Sequence, residues 1–272
     1  MAAEEKEMSF LDHVEVLRWH LVRSSAVIIA LSVVAFLMKD FIFNVIIFAP
    51  KNPDFITYRF FCEVSRMFGA EGLCIDNIPF TFQSLAMGEQ FNVHIWTSIT
   101  AGFIVAFPFV IWEFWKFISP GLYEKERKGA KVFILISSFL FFTGVLFGYY
   151  VVTPLSVNFL GNYSVSDMVE RNIKLDSYIS LVRSSVLASG LIFELPIIMF
   201  FLTKMGLVTP DFLKKYRKHA LVLVLILAAI ITPPDIISQI IVAIPILILY
   251  EVSILISKIV IKRELKKEKE NA

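Results

Sequence analysis

The sequence is poor in charge and in the side chains that most often carry enzyme chemistry. Charged residues make up 18% of the 272 positions, and the chain holds only two cysteines and four histidines. The 26 basic residues nearly balance the 24 acidic ones and fall in short clusters between apolar runs, which argues against binding to nucleic acid. Hydrophobic residues reach 57%, and the mean hydropathy is +0.73. These values predict an integral membrane protein.

Catalytic and metal-binding motifs are also missing. The sequence contains no P-loop, GxSxG, HExxH or CxxC pattern. Its histidines, His13, His20, His94 and His219, lie in separate segments, so a metal site is not expected. The pair Ser189-Gly190 is common and has no evident base beside it. We therefore predict no enzyme activity, no metal and no cofactor.

What the chain has instead is long apolar runs. A hydrocarbon core about 30 Å thick needs about 20 apolar residues in a helix, and four runs reach that length. A further apolar region is divided at Thr232-Pro233-Pro234-Asp235, where proline ends a helix, so it predicts a hairpin of two short helices. Pro245 predicts a kink in the second of them. The predicted spans cover residues 21–43, 93–112, 132–153, 178–204, 219–232 and 236–257.

The expected fold class is an all-α integral membrane protein with six transmembrane helices, forming a single membrane domain over 1–272. Six spans place both termini on one side, and the segments on that side carry 17 lysines and arginines against five on the other. By the positive-inside rule both termini are expected in the cytoplasm. The residues from 258 to 272 then form a charged cytoplasmic tail. No cleaved signal peptide is expected, because the charged first 20 residues precede a run long enough to span.

The N-terminal stretch SFLDHVEVLRWHL predicts an amphipathic helix. Phe10, Val14, Leu17 and Leu21 recur at four, three and four residues, which places them on one helical face. We expect a cytoplasmic helix over residues 1–20 that leads into the first span. A plain membrane anchor is the alternative interpretation.

Cys62 and Cys74 are the only cysteines, and both fall in the long loop 44–92 on the predicted outer side. An oxidising periplasm favours a disulfide between them. The alternative is two buried free thiols.

The loop between the second and third spans, which includes FWKFISPGLYEKERKGAK, is rich in aromatic and acidic residues. Five aromatic residues lie between positions 112 and 123, more than a simple connector needs, and Glu124 and Glu126 follow them. A carboxylate binds a guanidinium group through two parallel charge-assisted hydrogen bonds. An apolar shelf beside carboxylates therefore suits a peptide that carries arginines followed by a hydrophobic stretch. A solvated loop is the alternative.

Glu194 lies inside the apolar stretch GLIFELPIIMF, in the inner half of the fourth predicted span. A charge there would cost a few kcal/mol, so we expect a protonated side chain that faces a partly hydrated pocket. Pro196 leaves the carbonyl of Ile192 without its usual N–H partner, which adds polarity at the same level. The functional interpretation is a polar contact for a partner helix or peptide. The alternative is a neutral carboxyl group bonded inside the bundle.

Several motifs occur in order along the chain. They are HVEVLR at 13–18, PFVIWEFWKFISPGLYEKERK at 108–128, GLIFELPI at 190–197, ITPPDIISQ at 231–239 and AIPILILYE at 243–251. Together they resemble the TatC family of the twin-arginine translocase, over about Phe10 to Ile259. The resemblance implies a concave, glove-like protein of the bacterial cytoplasmic membrane that works in an oligomer. It also implies binding of twin-arginine signal peptides and, with TatA and TatB partners, export of folded proteins driven by the proton-motive force.

The resemblance also assigns residues to the signal-peptide site. Glu126 is the carboxylate expected to contact the arginines of the signal. At the position where the family usually carries glutamate, this chain has Val16, with Glu15 one residue earlier, so Glu15 is the expected substitute. The other expected site residues are His13, Arg18, Phe117, Pro120, Leu122 and Tyr123.

Further matches fall outside this site. Pro50, Asp235 and Gln239 match positions on the outer side of the membrane, and Glu251 matches a carboxylate near the inner end of the last span. Asp235 is expected to cap the last helix. The alternative for Glu251 is an interfacial ion pair with Lys258 or Lys262.

Two other functions compete with a receptor for protein export. A proton-coupled secondary transporter would use Glu194 as its titrating group. Transporters usually show internal repeats or paired broken helices, whereas here no repeat is visible and only the last helix looks broken. A scaffold without a recognition role would leave the aromatic loop unexplained.

Overall fold

The computed structural model describes residues 10–68, 78–119, 130–166, 168, 170–232 and 235–271. Helices dominate this part of the chain, and two short strands pair with each other. The elements in chain order are α1 (Phe10–Leu37), α2 (Ile56–Phe68), β1 (Thr81–Gln83), α3 (Glu89–Ile118), α4 (Ala130–Phe147), α5 (Thr153–Asn162), β2 (Asn172–Lys174), α6 (Leu175–Ile192), α7 (Leu195–Lys204), α8 (Pro210–Lys215), α9 (Arg217–Ile231) and α10 (Ile236–Asn271).

Five helical stretches of the described residues are long and apolar enough to cross a membrane. They cover Val14–Leu37, Glu89–Ile118, Lys131–Asn162, Leu175–Lys204 and Ser238–Arg263. The predicted span 219–232 falls on α9, whose 15 residues make a helix only about 22 Å long. The chain is a multi-span membrane protein, and the sixth crossing stays a prediction.

The first predicted span ends earlier than expected. α1 runs without interruption from Phe10 to Leu37, so the predicted N-terminal helix and the first span are one helix. The polar pair Lys39-Asp40 follows, and the chain continues as a π-helical turn over Phe41–Ile47. The apolar run to residue 43 is therefore not one straight helix.

The third and fourth spans also differ from the prediction. α4 continues through a π-helical turn, Gly148–Val152, into α5 and so reaches Asn162, nine residues beyond the predicted end. The fourth span is broken at Phe193-Glu194, between α6 and α7. The expectation that only the last helix is broken was wrong. Pro196 explains the break, because it has no N–H group to continue the hydrogen bonding of α6.

The described chain forms two compact units. The first comprises α1 up to Lys39 together with His94–Phe139, and the second comprises Asp40–Val93 and Leu140 onward.

In the first unit α1 and α3 run in opposite directions. They meet closely at Gly102, where an added Cβ would lie 2.6 Å from the backbone nitrogen of Ser32. The ring of His94 stacks on Phe36 at 3.8 Å between centroids. The close approach depends on glycine because any side chain at position 102 would strike the backbone of α1.

In the second unit α4 and α6 cross on glycines. An added Cβ on Gly144 would lie 2.6 Å from the carbonyl oxygen of Ser189, and one on Gly148 would lie 2.7 Å from that of Ser185. Gly144 and Gly148 form a GxxxG pattern, which is typical of close helix crossings. The buried core of this unit includes Val152, Val224, Ala228, Val242, Ala243 and Ile246.

The segment between α1 and α3 contains structure that the sequence did not predict. It holds α2 and strand β1, which pairs in parallel with β2 through the register Phe82 to Ile173. The hydroxyl of Tyr58 donates to the carbonyl of Pro50 at 2.8 Å, and burial raises the pKa of that hydroxyl. Cys62 on α2 is disulfide-bonded. Cys74 lies outside the described residues, so its pairing with Cys62 stays a prediction.

Candidate functional site

Part of the predicted peptide site lies outside the described residues. This holds for Glu126 and for Pro120, Leu122 and Tyr123, and nothing is described of the His13 side chain. The described members are Glu15 and Arg18 on α1 and Phe117 on α3. All three belong to the first unit.

Glu15 is strongly exposed and lies 3.5 Å from Arg18, with side-chain exposures of 65% and 66%. At about 100° per residue, Glu15 points about 140° away from the direction of His20, whereas Val16 lies about 40° from it. His20 contacts α3. The α3-facing side of α1 therefore carries Val16 one turn before His20, and Glu15 lies on another side of the helix.

Among the described residues of the first unit, a polar cluster centres on Glu113, in α3. Its side chain is 2% exposed, and its Oε2 lies 2.6 Å from Nδ1 of His20. Nζ of Lys116 donates to Oε1 at 2.7 Å, and Arg23 lies 3.8 Å from Oε2. The ring of Phe117 meets that of His20 edge-on at 6.2 Å. One buried carboxylate thus holds basic side chains from both α1 and α3.

Lys116 has a second contact on its own helix. Its Nζ lies 3.6 Å from the ring centroid of Trp112. Lys116 is 37% exposed, and Trp112 is 44% exposed. The ammonium group therefore lies between the carboxylate of Glu113 and the ring of Trp112, at a partly exposed position.

Sequence reasoning missed this cluster. Trp112 and Glu113 stand four and three residues before Lys116, a spacing that brings side chains together on a helix and is visible in the sequence. The contact with His20 spans 93 positions, and no local pattern indicates it.

Glu194 lies where the structure breaks the fourth span. It is 7% exposed, and its carbonyl accepts hydrogen bonds from the N–H groups of Ile197 and Ile198 at 2.9 and 3.0 Å. Glu194 therefore starts α7 with its backbone and holds its side chain in a buried position. Its role in binding stays a prediction.

The last hairpin shows the predicted cap. The N–H and the hydroxyl of Ser238 both donate to Oδ2 of Asp235, at 2.8 and 2.6 Å. Gln239 donates from Nε2 to the carbonyl of Leu225 at 3.0 Å, which ties α10 to α9. Both residues thus have structural contacts.

Glu251 pairs with a different partner from those considered in the sequence. Arg217 donates to it at 2.7 Å, and both side chains are about half exposed. Arg217 starts α9, the first helix of the predicted hairpin, but the sequence analysis did not consider it as a partner of Glu251. The proposed alternatives, Lys258 and Lys262, lie on the same helix as Glu251.

Two further charged residues were not singled out from the sequence. Glu89 begins α3 and binds backbone N–H groups of Leu85, Ala86 and Asp176. Arg183 lies within the fourth span and donates to the hydroxyl of Ser180 at 2.9 Å. An ionisable residue within a span can be found by inspection, whereas the partners of Glu89 depend on the fold.

The described residues contain no group of three or more His, Cys, Asp or Glu side chains that could hold a metal ion. The chemistry available at the Glu113 cluster is binding of cations by a carboxylate and an aromatic ring.

Comparisons with known proteins identify the family. The family model described as Sec-independent protein translocase protein (TatC) matches residues 12–245. The TatC of Blattabacterium sp. subsp. Periplaneta americana is 41% identical over 266 residues, which is 97% of this chain and 100% of that protein. TatCy of Bacillus subtilis is 34% identical and covers 93% of this chain and 89% of its own length.

A solved structure agrees with these sequences. The crystal structure of a twin-arginine translocase receptor, TatC, superposes with a TM-score of 0.68 at 31% identity. The match covers 91% of this chain and 99% of that one. The chain belongs to the TatC family of Sec-independent protein translocase proteins.

Proposed function

We propose that this protein is the receptor and core subunit of a twin-arginine translocase in a bacterial cytoplasmic membrane. It binds signal peptides that carry paired arginines and, with TatA- and TatB-type single-span partners, exports folded proteins using the proton-motive force. The observation that carries the proposal is the similarity to a twin-arginine translocase receptor over 91% of the chain. Such a protein is a translocase component and not an enzyme.

The proposed topology has six spans, with both termini in the cytoplasm and a concave, glove-like bundle. The excess of basic residues in the segments assigned to the cytoplasm supports this orientation. α9 is the short fifth span, and its limited length makes it a suitable edge for docking a single-span subunit.

Glu126 is the proposed primary contact of the signal's arginines. It follows α3 in a stretch whose sequence resembles the family's recognition loop, and it carries the acidic group that a guanidinium requires. The proposed neighbours are Glu15, His13, Arg18, Phe117, Pro120, Leu122 and Tyr123.

The comparisons do not support the alternative of a proton-coupled secondary transporter. Every relative described above is a translocase protein. The burial of Glu194 at a helix break is compatible with a polar docking contact inside such a protein.

The proposal is tested by export of a folded reporter in cells that depend on this chain. Export should fall sharply when the arginine pair of the reporter's signal is changed to Lys-Lys, and also in Glu126→Ala. Glu63→Ala changes an exposed carboxylate on α2 and serves as the matched control, which should leave export intact. Unaffected export in both test arms would refute the proposal.

A further inference from the structure

The geometry points to a second arginine-binding site, formed by the carboxylate of Glu113 and the indole ring of Trp112. In the resting protein Lys116 occupies this site. We propose that the guanidinium of one signal-peptide arginine displaces the Lys116 ammonium from it. This inference rests on the proposed function and adds a binding site formed by residues that the family resemblance did not assign to the signal-peptide site.

The contacts of Lys116 define a site for a cation. Its ammonium group donates to Oε1 of Glu113 at 2.7 Å and lies 3.6 Å from the centroid of Trp112. A carboxylate on one side and an aromatic face on the other suit a guanidinium better than an ammonium. The planar guanidinium stacks on the ring and presents two parallel N–H groups to the carboxylate.

Lys116 can leave without disturbing the rest of the cluster. It is 37% exposed, and its pairing with Glu113 is a local contact three residues apart. His20, only 15% exposed, stays on Oε2 of Glu113 and connects α1 to the site. Each carboxylate oxygen can accept more than one hydrogen bond, so a guanidinium can bind Oε1 and share Oε2 with His20.

The local charge favours exchange over simple addition. His20 and Arg23 face Glu113 from α1, and Lys116 faces it from α3. A further cation added to this group would be repelled. When Lys116 moves out as an arginine moves in, the number of charges around Glu113 does not change.

The position of the site agrees with a role in recognition. Glu113 lies five residues before the end of α3, and the segment with Glu126 follows that end. On α1, Val16 lies one turn before His20, on the side that faces α3. The carboxylate of Glu113 therefore lies close to the surface of α1 that carries Val16, at the position where the family usually has glutamate.

The inference predicts opposite effects for two neighbouring substitutions. The binding of a fluorescent peptide with a twin-arginine signal, and of its Lys-Lys version, is measured on the purified full-length protein in detergent. Lys116→Gln removes the competing cation and should lower the Kd of the Arg-Arg peptide by about two- to fivefold. Glu113→Gln should raise it by about tenfold or more.

A third variant tests the aromatic wall. Trp112→Leu should raise the Kd of the Arg-Arg peptide by about threefold and change that of the Lys-Lys peptide less. Lys214→Gln is the matched control, because Lys214 also pairs with a carboxylate three residues away, Asp211, at 3.1 Å. This control should leave the Kd unchanged. Thermal melting of each variant in detergent verifies that the protein is folded.

The outcomes separate this inference from the proposed function. If Lys116→Gln weakens binding or leaves it unchanged, Glu113 is only a structural tether and the second site is refuted. This holds even when Glu126→Gln abolishes binding, which would support the proposed function. If Glu113→Gln does not fold, Lys116→Gln and Trp112→Leu still decide the question. If the wild-type protein binds both peptides equally, the proposed function and the second site fail together.

Discussion

The two ends of α3 each bury a glutamate, but the two carboxylates are held in different ways. Glu89 at the start of the helix is 6% exposed and accepts from the N–H groups of Leu85 at 2.8 Å and Asp176 at 3.1 Å. Glu113 near the other end is equally buried, but its partners are the side chains of Lys116 and His20. The carboxylate of Glu89 is bound by backbone N–H groups, whereas that of Glu113 is bound by side chains, of which that of Lys116 can move away.

This difference separates a structural role from a binding role. Backbone N–H groups cannot leave without unfolding the segment that carries them, so Glu89 connects the starts of α3 and α6 permanently. A lysine side chain can rotate away and be replaced by another cation, so Glu113 can exchange partners. The identity of its hydrogen-bond donors therefore indicates the role of a buried carboxylate better than the extent of its burial does.

The largest effect on stability is expected at Glu89. Glu89→Ala removes the acceptor shared by three backbone N–H groups, and the melting temperature in detergent should fall by about 5 °C or more. Glu89→Gln keeps one acceptor oxygen and should lie between the alanine variant and the wild type. If Glu89→Ala has the same melting temperature as the wild type, Glu89 does not have the structural role assigned to it here.

Glu113→Gln should show the reverse pattern. The amide keeps an acceptor for His20 or Lys116, so we expect the melting temperature to fall by less than in Glu89→Ala while peptide binding falls more. Measuring both quantities on the same purified samples checks this. If Glu113→Gln loses stability as strongly as Glu89→Ala and the folded fraction binds peptide normally, both carboxylates have a structural role and Glu113 has no role in binding.

Glu194 extends the comparison into the membrane. Its place at the break between α6 and α7 leads us to expect that Glu194→Gln keeps most export activity, because an amide retains the hydrogen-bonding capacity of a neutral carboxyl group. Glu194→Leu should lose activity. Export of a folded reporter is the measurement, and loss of export in the glutamine variant would show that a proton must leave this group.

The smallest effect is expected at Glu251. Its ion pair with Arg217 is half exposed, and such pairs add little to stability. Glu251→Gln should shift the melting temperature by less than about 1 °C. A larger shift, absent in the control Asp211→Asn, would mean that the pair fixes α9 against α10 more firmly than its exposure indicates.

Much of the architecture could be predicted because it depends on local composition. The apolar runs located the spanning helices, and Pro233-Pro234 located the turn of the last hairpin. The helix ends were less predictable. The apolar run that ends at residue 43 hides a change from α-helix to π-helical turn after Leu37, because hydropathy is the same on both sides of the change.

The candidate site was only partly predictable. The aromatic and acidic residues between Trp112 and Glu126 predicted arginine recognition, although those up to Ile118 lie on α3 and not in a loop. Glu126 was assigned from the family resemblance of the motif at 108–128, and its role stays a prediction. Glu113 stood within the same motif, yet its burial and its contact with His20 depend on how α1 and α3 are rotated about their axes. That rotation cannot be predicted from the sequence of either helix alone.

By itself the sequence determined that this chain crosses a membrane several times and belongs with twin-arginine translocase receptors, because transfer of apolar residues into lipid and the order of motifs are properties of the chain. Only the tertiary structure decided which carboxylates are fixed and which are exchangeable. The physical reason is that a buried carboxylate takes its role from its donors. For Glu89 and Glu113 some of those donors lie about 90 positions away along the chain.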